Sequence, residues 1–240
     1  MMRASPPADR MPMEPLSDAK IIDSWHGNAL PWTRAVREGR IESRRLVTDR
    51  AILDAVRART PRRVLDLGCG EGWLAHALAG ADIEVIGIDA VPALIEQARA
   101  AGPGDFRTMS YEDFAAGKFD TRVDAVVCNF SLLGENSVEQ AIAAARALLN
   151  PGGAVLVQTL HPLVACGEQP YRDGWRAGSW AGFGAEFSDP APWYFRTVES
   201  WTKLFSRHAL RLAELREPLH PATDKPASIL FIAEIVEQRS

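Results

Sequence analysis

The sequence predicts an α/β protein built around a doubly wound, seven-stranded, mostly parallel sheet that ends in a C-terminal antiparallel hairpin. Two observations predict this fold class. Short apolar runs alternate with helix-length segments from residue 61 onward, and parallel strands need crossovers of that length. Near the C-terminus, two strand-like segments follow each other with no helix between them, which favours an antiparallel pair at one edge of the sheet.

Each element follows from its own local pattern. Five strands are expected before the hairpin, at 64–67, 84–89, 106–109, 123–128 and 154–159. Helices are expected at 73–81, 93–101 and 137–149, and another at 198–208 precedes the hairpin strands 210–215 and 228–236. Pro92 opens one helix, and Asn150-Pro151-Gly152-Gly153 ends the next. Right-handed crossovers then make the sheet Rossmann-like.

Three regions divide the chain. Residues 1–20 are expected to form a disordered tail with no secretory signal, because prolines interrupt it and no apolar core is present. Residues 21–60 are expected to form an N-terminal helical cap, broken at Pro31 and Gly39. Residues 61–240 form the Rossmann-like domain. It carries an irregular insertion at about 161–197, and a stretch of that length without a clear period is usually functional.

Composition excludes several classes of protein. Hydrophobic residues make up 47% of the 240 and charged residues 24%, which excludes disorder, collagen and coiled coil for most of the chain. The net charge of −4 argues against nucleic acid or an anionic membrane as the main partner. No apolar run is long enough to span a membrane. The three cysteines form no CxxC pair, so we expect neither disulfides nor a zinc site, and a cytoplasmic location.

The strongest chemical signal is a glycine-rich loop, Asp66-Leu67-Gly68-Cys69-Gly70-Glu71-Gly72, between a strand and a helix. Glycines let the backbone turn tightly and let a ligand approach the main chain closely. Asp89 ends the next strand, where a carboxylate can accept both hydroxyls of a ribose. Dehydrogenases generally use GxGxxG, whereas the spacing here is GxGxG. Asp66 would also repel a pyrophosphate and attract an ammonium group, so the loop favours a cationic nucleoside over a dinucleotide.

This loop and Gly87-Ile88-Asp89 resemble the first two motifs of class I S-adenosylmethionine-dependent methyltransferases. The run 123–129 resembles the family's fourth-strand motif, and 148–153 resembles the turn before its fifth strand. Four motifs in order, over roughly residues 62–159, are specific to the superfamily and not to a substrate. The resemblance implies S-adenosylmethionine as the cofactor.

The resemblance also implies a role for each matched residue. Asp66 would orient the methionine ammonium group, and Asp89 would take the ribose hydroxyls. The other implied cofactor contacts are Gly68, Cys69, Gly70, Trp73, Ala90, Ser110, Tyr111 and Asn129. Packing is the preferred role for the Cys69 and Cys128 thiols, because methyl transfer needs no enzyme nucleophile. Arg44 and Arg45 could reach the methionine carboxylate, but exposed helix arginines are the preferred interpretation.

A general base is needed only when the acceptor arrives protonated. His161, just past the fifth strand, is the candidate by position, because open α/β sheets bind ligands at the carboxyl ends of their strands. A simple turn residue is the alternative. The sequence after Asn129 lacks the Pro-Pro-aromatic run of enzymes that methylate amino groups of adenine, cytosine or glutamine. No cluster suggests a metal site.

Aromatic residues concentrate in the insertion and just beyond it. Nine of them fall between His161 and Trp201, which predicts a lid over an apolar or aromatic small molecule. A satellite core that merely packs the insertion is the alternative. The residues assigned to the substrate are Trp180, Trp193 and Tyr194 in the insertion, and Trp25, His26 and Trp32 on the opposite wall.

The sequence therefore predicts a cytoplasmic methyltransferase that acts on a small, apolar or aromatic metabolite. The alternatives are a protein or RNA methyltransferase, a cofactor-binding module without catalysis, and a dehydrogenase. Neither nucleic acid nor a membrane is the expected partner, and the oligomeric state stays open.

Overall fold

A seven-stranded sheet runs through the centre of the structure, a computed structural model that describes residues 16–236. Its strands are β1 (Arg63–Leu67), β2 (Glu84–Asp89), β3 (Asp105–Thr108), β4 (Val123–Asn129), β5 (Leu149–Thr159), β8 (Leu210–Arg216) and β9 (Ile229–Ile235). Two short strands, β6 (Gly174–Arg176) and β7 (Trp193–Phe195), form a separate antiparallel hairpin. The order in the main sheet is β3-β2-β1-β4-β5-β9-β8.

Strands β1 to β5 are parallel, and β9 lies antiparallel between β5 and β8. The helices are α1 (Asp18–Arg37), α2 (Asp49–Ala58), α3 (Trp73–Ala79), α4 (Pro92–Ala101), α5 (Tyr111–Ala115), α6 (Asn136–Leu148), α7 (Pro162–Ala165) and α8 (Val198–Arg207). A π-helical segment, Arg44–Thr48, precedes α2. The predicted doubly wound sheet with its C-terminal hairpin is confirmed.

Both faces of the sheet are covered, as its strand sequences require. In β1, Leu65 packs with α5, α6 and α8 on one face, whereas Val64 packs with α2 and α3 on the other. Alternate residues of a strand point to opposite faces of the sheet, so a strand that is apolar on both faces must be covered on both. The central strands are therefore a rigid support whose carboxyl ends meet at one edge.

The expected break at Pro31 is wrong, because α1 continues through it to Arg37. Proline removes one N–H from a helix, and the carbonyl that loses its partner belongs to Gly27. Gly27 is exposed, so water can reach that carbonyl. Gly39, with a φ of +63°, lies just beyond the helix end, as expected for a helix stop.

Other boundaries also differ from the expected ones. Strand β5 begins at Leu149, whereas the sequence predicts its start at residue 154. Ser17 caps α1 by accepting a hydrogen bond from Lys20 N, so residues 18–20, expected in the disordered tail, are helical. The rest of that tail, residues 1–15, lies outside the described residues. The insertion, expected to lack regular structure, contains α7 and the β6–β7 hairpin, and such short elements leave no period to detect.

Candidate cofactor and acceptor site

A cavity of about 470 Å³ opens at the carboxyl edge of the sheet. Its floor is the glycine loop and the loops after β2 and β4, and its walls come from α1 and the insertion. Residues that are far apart in the sequence therefore line the same cavity. Most of the predicted cofactor residues line it: Gly68, Cys69, Gly70, Trp73, Asp89, Ala90, Tyr111 and Asn129.

Gly68 allows the closest backbone approach in the loop. Its φ is +81°, a left-handed conformation that favours glycine, and an added Cβ would lie 2.3 Å from the Cβ of Ser131. Ser131 in turn donates to Leu67 O at 2.6 Å, which fixes the loop after β4 against the end of β1. Any side chain at position 68 would push these two loops apart.

Asp89 organises the loop through its carboxylate. Its Oδ2 accepts from Gly70 N at 2.9 Å, and its Oδ1 accepts from Val91 N at 2.9 Å. Burial raises the pKa of Asp89, while the two backbone hydrogen bonds and the nearby His26 lower it. The carboxylate is thus held at the cavity wall with lone pairs that can still accept from a ligand hydroxyl.

Asp66 is buried beneath the loop, and its Oδ2 has no hydrogen-bond partner among the described residues. Burial raises its pKa to about 8, with smaller contributions from Glu71 and Asp89, and Arg44 opposes the shift. Burial likewise raises the pKa of Glu71, whose Oε1 also lacks a partner within residues 16–236. Unpaired buried carboxyls are costly, and a cation would stabilise both.

Arg44 is the cationic counterpart of these carboxyls, and the preferred interpretation of it as exposed is wrong. The side chain is buried, its Nε donates to Asp49 at 2.9 Å, and one terminal nitrogen has no partner in the described part of the chain. Its guanidinium lies 4.6 Å from the Trp73 ring and 5.9 Å from the Trp32 ring. Arg45 is exposed, as expected.

These groups fit an amino acid moiety. An ammonium group needs carboxylate acceptors, which Asp66 and Glu71 provide, and a carboxylate needs a bidentate donor such as Arg44. The two unpartnered carboxyl oxygens and the unpartnered guanidinium nitrogen are the observation that supports the fit. The sequence offered no spacing signal for Arg44, because a π-helical segment, and not a regular helix, turns it inward.

Of the remaining predicted cofactor residues, some line the cavity and others hold the surrounding loops in place. Tyr111 lines the cavity and donates its hydroxyl to Ser131 O at 3.1 Å. Ser110 is absent from the described wall, and it caps α5 by accepting from Asp113 N. The side chain of Asn129 accepts from Gln158 Nε2 at 2.8 Å.

His161 is buried but does not belong to the described cavity wall, although its neighbours Leu160 and Pro162 do. Its Nε2 lies 2.7 Å from Glu217 Oε1, after the end of β8. Its Nδ1 has no partner among residues 16–236. The structure therefore joins His161 to the C-terminal hairpin and separates it from the predicted cofactor residues.

Helix α1 and the insertion form the roof of the cavity. Trp25 packs against Trp32 and Trp180 with ring centroids 5.1 Å and 5.8 Å apart, and Phe183 and Phe187 extend the cluster. Trp25, Trp32 and Trp180 line the cavity. His26, predicted on the same wall, is exposed and absent from the described lining.

Hydrogen bonds fasten the insertion to α1. Asn28 donates to Ser188 O at 2.7 Å and accepts from Ser188 N at 3.0 Å. Ser24 donates to Asp189 O at 2.5 Å, and Lys20 pairs with Asp189 at 2.8 Å. The aromatic roof is thus tied to the N-terminal helix by both ring packing and polar contacts.

The third wall carries Trp193 and Tyr194, both predicted, together with Arg196 and Trp201. Sequence reasoning missed Arg196, since an arginine in an irregular segment is ordinarily solvated. It also missed Asp18, Ile21 and Ile22, which α1 brings to the same cavity.

The two thiols near the site, Cys69 and Cys128, are buried. Burial raises the pKa of Cys69 and of Cys128, so neither is a thiolate at neutral pH. No group of three His, Cys, Asp or Glu side chains with metal-binding geometry occurs in residues 16–236. Over the same residues, no helix is both long enough and apolar enough to span a bilayer.

Comparisons with known proteins agree with this geometry. Residues 64–153 match the family model described as a methyltransferase domain. A ubiquinone biosynthesis O-methyltransferase from Xanthomonas campestris pv. campestris is 38% identical over 120 residues, 45% of this chain and 48% of that protein. A protein of the same description from Xylella fastidiosa is 36% identical over 121 residues, 47% of this chain and 49% of that protein. The chain spans about half the length of these curated relatives.

Solved structures share the fold. A 1,6-didemethyltoxoflavin-N1-methyltransferase from Burkholderia thailandensis, solved with 1,6-didemethyltoxoflavin and S-adenosylhomocysteine, aligns with a TM-score of 0.64. It is 16% identical, over 91% of this chain and 88% of that one. An S-adenosylmethionine-dependent methyltransferase from Mesorhizobium loti aligns with a TM-score of 0.58 and is 22% identical, over 75% of this chain and 96% of that one.

Proposed function

Because this chain contains a class I S-adenosylmethionine-dependent methyltransferase domain, we propose that it transfers the methyl group of S-adenosylmethionine to a small, apolar or aromatic metabolite. The observation that carries this proposal is one continuous cavity that joins the glycine loop and Asp89 to the aromatic roof and the Tyr194 wall. Cofactor residues and an apolar compartment face the same space.

The cofactor end of the cavity has a partner for each part of the ligand. Arg44 would bind the methionine carboxylate, and Asp66 with Glu71 would hold the ammonium group. Asp89 would accept the ribose hydroxyls, and Ala90 and Tyr111 would lie along the adenine. When bound, the cofactor supplies an activated methyl group on a positively charged sulfur.

The rest of the cavity suits a small acceptor. The whole cavity, with its cofactor end included, measures about 470 Å³, which lies within the usual range for small-molecule pockets, and aromatic and aliphatic side chains make up much of its lining. Helix α1 and the insertion cover it, which disfavours a long protein or RNA strand. Holding the acceptor and the methyl group in line can lower the activation barrier of the displacement by roughly 7–11 kcal/mol. The protein therefore has to align the two reactants more than it has to supply acid–base chemistry.

Two measurements test the proposal. Calorimetry should show S-adenosylhomocysteine binding that Asp89→Ala weakens at least about tenfold, and no comparable binding of NAD. Incubation with methyl-labelled S-adenosylmethionine should then transfer label to members of a panel of small aromatic acceptors and not to bulk protein or RNA. Tight NAD binding would indicate a dehydrogenase. Labelled protein or RNA would indicate a macromolecular acceptor, and cofactor binding with no transfer to any acceptor would indicate a binding module.

A further inference from the structure

Arg196, just after β7, places a buried guanidinium on the third wall of the cavity. Its two terminal nitrogens donate to Gly134 O and Glu135 O, in the loop after β4, at 2.8 Å each. The guanidinium also lies 4.8 Å from the Tyr194 ring and 5.3 Å from the Trp201 ring. Both rings line the cavity as well. These contacts fix the position of the positive charge at the wall.

No carboxylate pairs directly with Arg196 in the described part of the chain. None of the ion pairs among residues 16–236 includes it. Two neighbouring carboxylates are held by other groups: Glu135 accepts from Trp175 Nε1 at 3.1 Å, and Asp173 accepts from Thr197 N at 2.9 Å. Burial lowers the pKa of Arg196, although nearby negative groups oppose the shift. Because buried arginines are normally paired, this one calls for a partner from outside the described residues.

Arg196 also keeps N–H donors for a ligand. A guanidinium has five N–H groups, and the two backbone carbonyls take one each. The only other cation of the described cavity lining is Arg44, which the cofactor carboxylate would occupy. Tyr194, which packs against Arg196, belongs to the side of the cavity assigned to the acceptor. Arg196 is therefore the cation available to the acceptor.

The charges of the cavity fit a single negative charge on that acceptor. A guanidinium binds a carboxylate through parallel N–H donors. A phosphate dianion would need a second cation, and the described lining offers none beyond Arg44 and Arg196. Asp18 lines the same cavity and would oppose a second negative charge. An ammonium group in this place would be repelled by Arg196.

We propose that the acceptor carries a carboxylate and that Arg196 binds it, which makes Arg196 a specificity-determining residue. The methylated atom is a different one, because a carboxylate held by a guanidinium is stabilised and becomes a weaker nucleophile. The apolar or aromatic body of the acceptor would extend from Arg196 along Tyr194 towards the cofactor. This inference rests on the proposed function and deepens it by naming a group that the acceptor carries.

The test compares aromatic carboxylates with their primary amides. The probes are 4-hydroxybenzoate, 4-hydroxycinnamate and 6-hydroxy-2-naphthoate, each beside its amide, which is neutral and nearly the same in shape. Calorimetry at pH 7 uses the full chain saturated with S-adenosylhomocysteine, so that Arg44 is already occupied. The wild type should bind at least one carboxylate about tenfold more tightly than the matching amide.

Arg196→Gln should remove this preference and leave amide binding little changed, and Arg196→Lys should keep part of it. Arg176→Gln is the matched control, because Arg176 is also buried in the β6–β7 hairpin but is absent from the described cavity lining. It likewise donates to two backbone carbonyls, Ala165 O and Pro170 O, and lies 3.5 Å from the Phe195 ring. The control should show the wild-type preference, and S-adenosylhomocysteine binding reports that each variant is folded.

No carboxylate binding, or equal affinity for carboxylate and amide in the wild type, would overturn the inference. Equal losses of carboxylate and amide binding in Arg196→Gln would also overturn it and would leave Arg196 only the role of clamping the loop after β4. Transferred methyl label that mild alkali releases would show that the carboxylate itself is methylated, against the proposal. Failure of the wild type to bind S-adenosylhomocysteine would instead contradict the proposed function.

Discussion

Asp18, in the first turn of α1, caps helix α6 from 117 residues away by accepting a hydrogen bond from Glu135 N at 3.1 Å. The same oxygen accepts from Ser137 Oγ at 2.6 Å. Gly134 lies so close that an added Cβ would overlap this carboxylate. The N-terminal helix is therefore joined both to the insertion and to the loop after β4 that lines the cavity.

Asp18→Ala should lower the free energy of unfolding by about 1–2 kcal/mol, the usual cost of losing a helix cap. It should also weaken S-adenosylhomocysteine binding, because α1 carries part of the cavity roof. Urea unfolding and calorimetry measure the two effects. Asp23→Ala, an exposed carboxylate on the same helix, is the control and should change neither. Equal stability of the two variants would contradict the capping role.

Gly68→Ala should abolish cofactor binding and destabilise the fold, because its Cβ would collide with Ser131 at a left-handed φ. Gly117→Ala is a matched control, since Gly117 has a φ of +78° and open space around it. The control should cost about 1 kcal/mol of backbone strain and leave binding intact. Thermal unfolding and calorimetry of both variants separate backbone strain from the steric clash with Ser131. Equal losses of cofactor binding in the two variants would contradict the role of that clash.

The buried carboxyl of Asp66 should make the ligand-free protein less stable as the pH rises. Its folded pKa of about 8 exceeds the ordinary value of 3.8, so the folded state holds more protons than the unfolded state between these values. The stability associated with protonated Asp66 is complete below about pH 4 and is lost progressively up to about pH 8. Urea unfolding at pH 5, 7 and 8 should show this slope, and Asp66→Asn should reduce it. An unchanged slope in Asp66→Asn would assign the pH dependence to other groups.

Binding of the cationic cofactor should release a proton from Asp66 near pH 7, because an ammonium group favours the ionised carboxylate. Calorimetry in buffers of different ionisation enthalpy counts released protons. Wild type should release more than Asp66→Asn does. Identical release from the two proteins would show that Asp66 does not face the ammonium group.

Arg44→Ala should weaken S-adenosylhomocysteine binding by about 10- to 100-fold, since a charge-assisted hydrogen bond contributes about 1.5–3 kcal/mol. Arg44→Lys should recover only part of it, because an ammonium group cannot replace a bidentate guanidinium. Arg45→Ala, next in sequence but exposed, should bind like the wild type. A loss in Arg45→Ala equal to that in Arg44→Ala would point to general electrostatics.

Much of the fold could be predicted from local patterns. Strand and helix periodicity placed β1 to β4, α3, α4 and α6 to within about two residues, because burial on both faces constrains the composition of a parallel strand. The end of β5 was also predicted, but the strand begins at Leu149, ahead of the expected start at residue 154. The glycine loop and Asp89 could also be predicted from the sequence, because the loop follows one strand and Asp89 ends the next. The sequence by itself thus determined the sheet and the floor of the cavity.

Only the tertiary structure decided which side chains complete the site. It turned Arg44 inward through a π-helical segment, paired His161 with Glu217, and packed Tyr194 against Trp175. These are contacts between residues that are distant in the chain or displaced from regular periodicity, and neither composition nor spacing encodes them. They form because α1 and the insertion fold back over the carboxyl edge of the sheet, where chain connectivity and packing, not local propensity, select the neighbours.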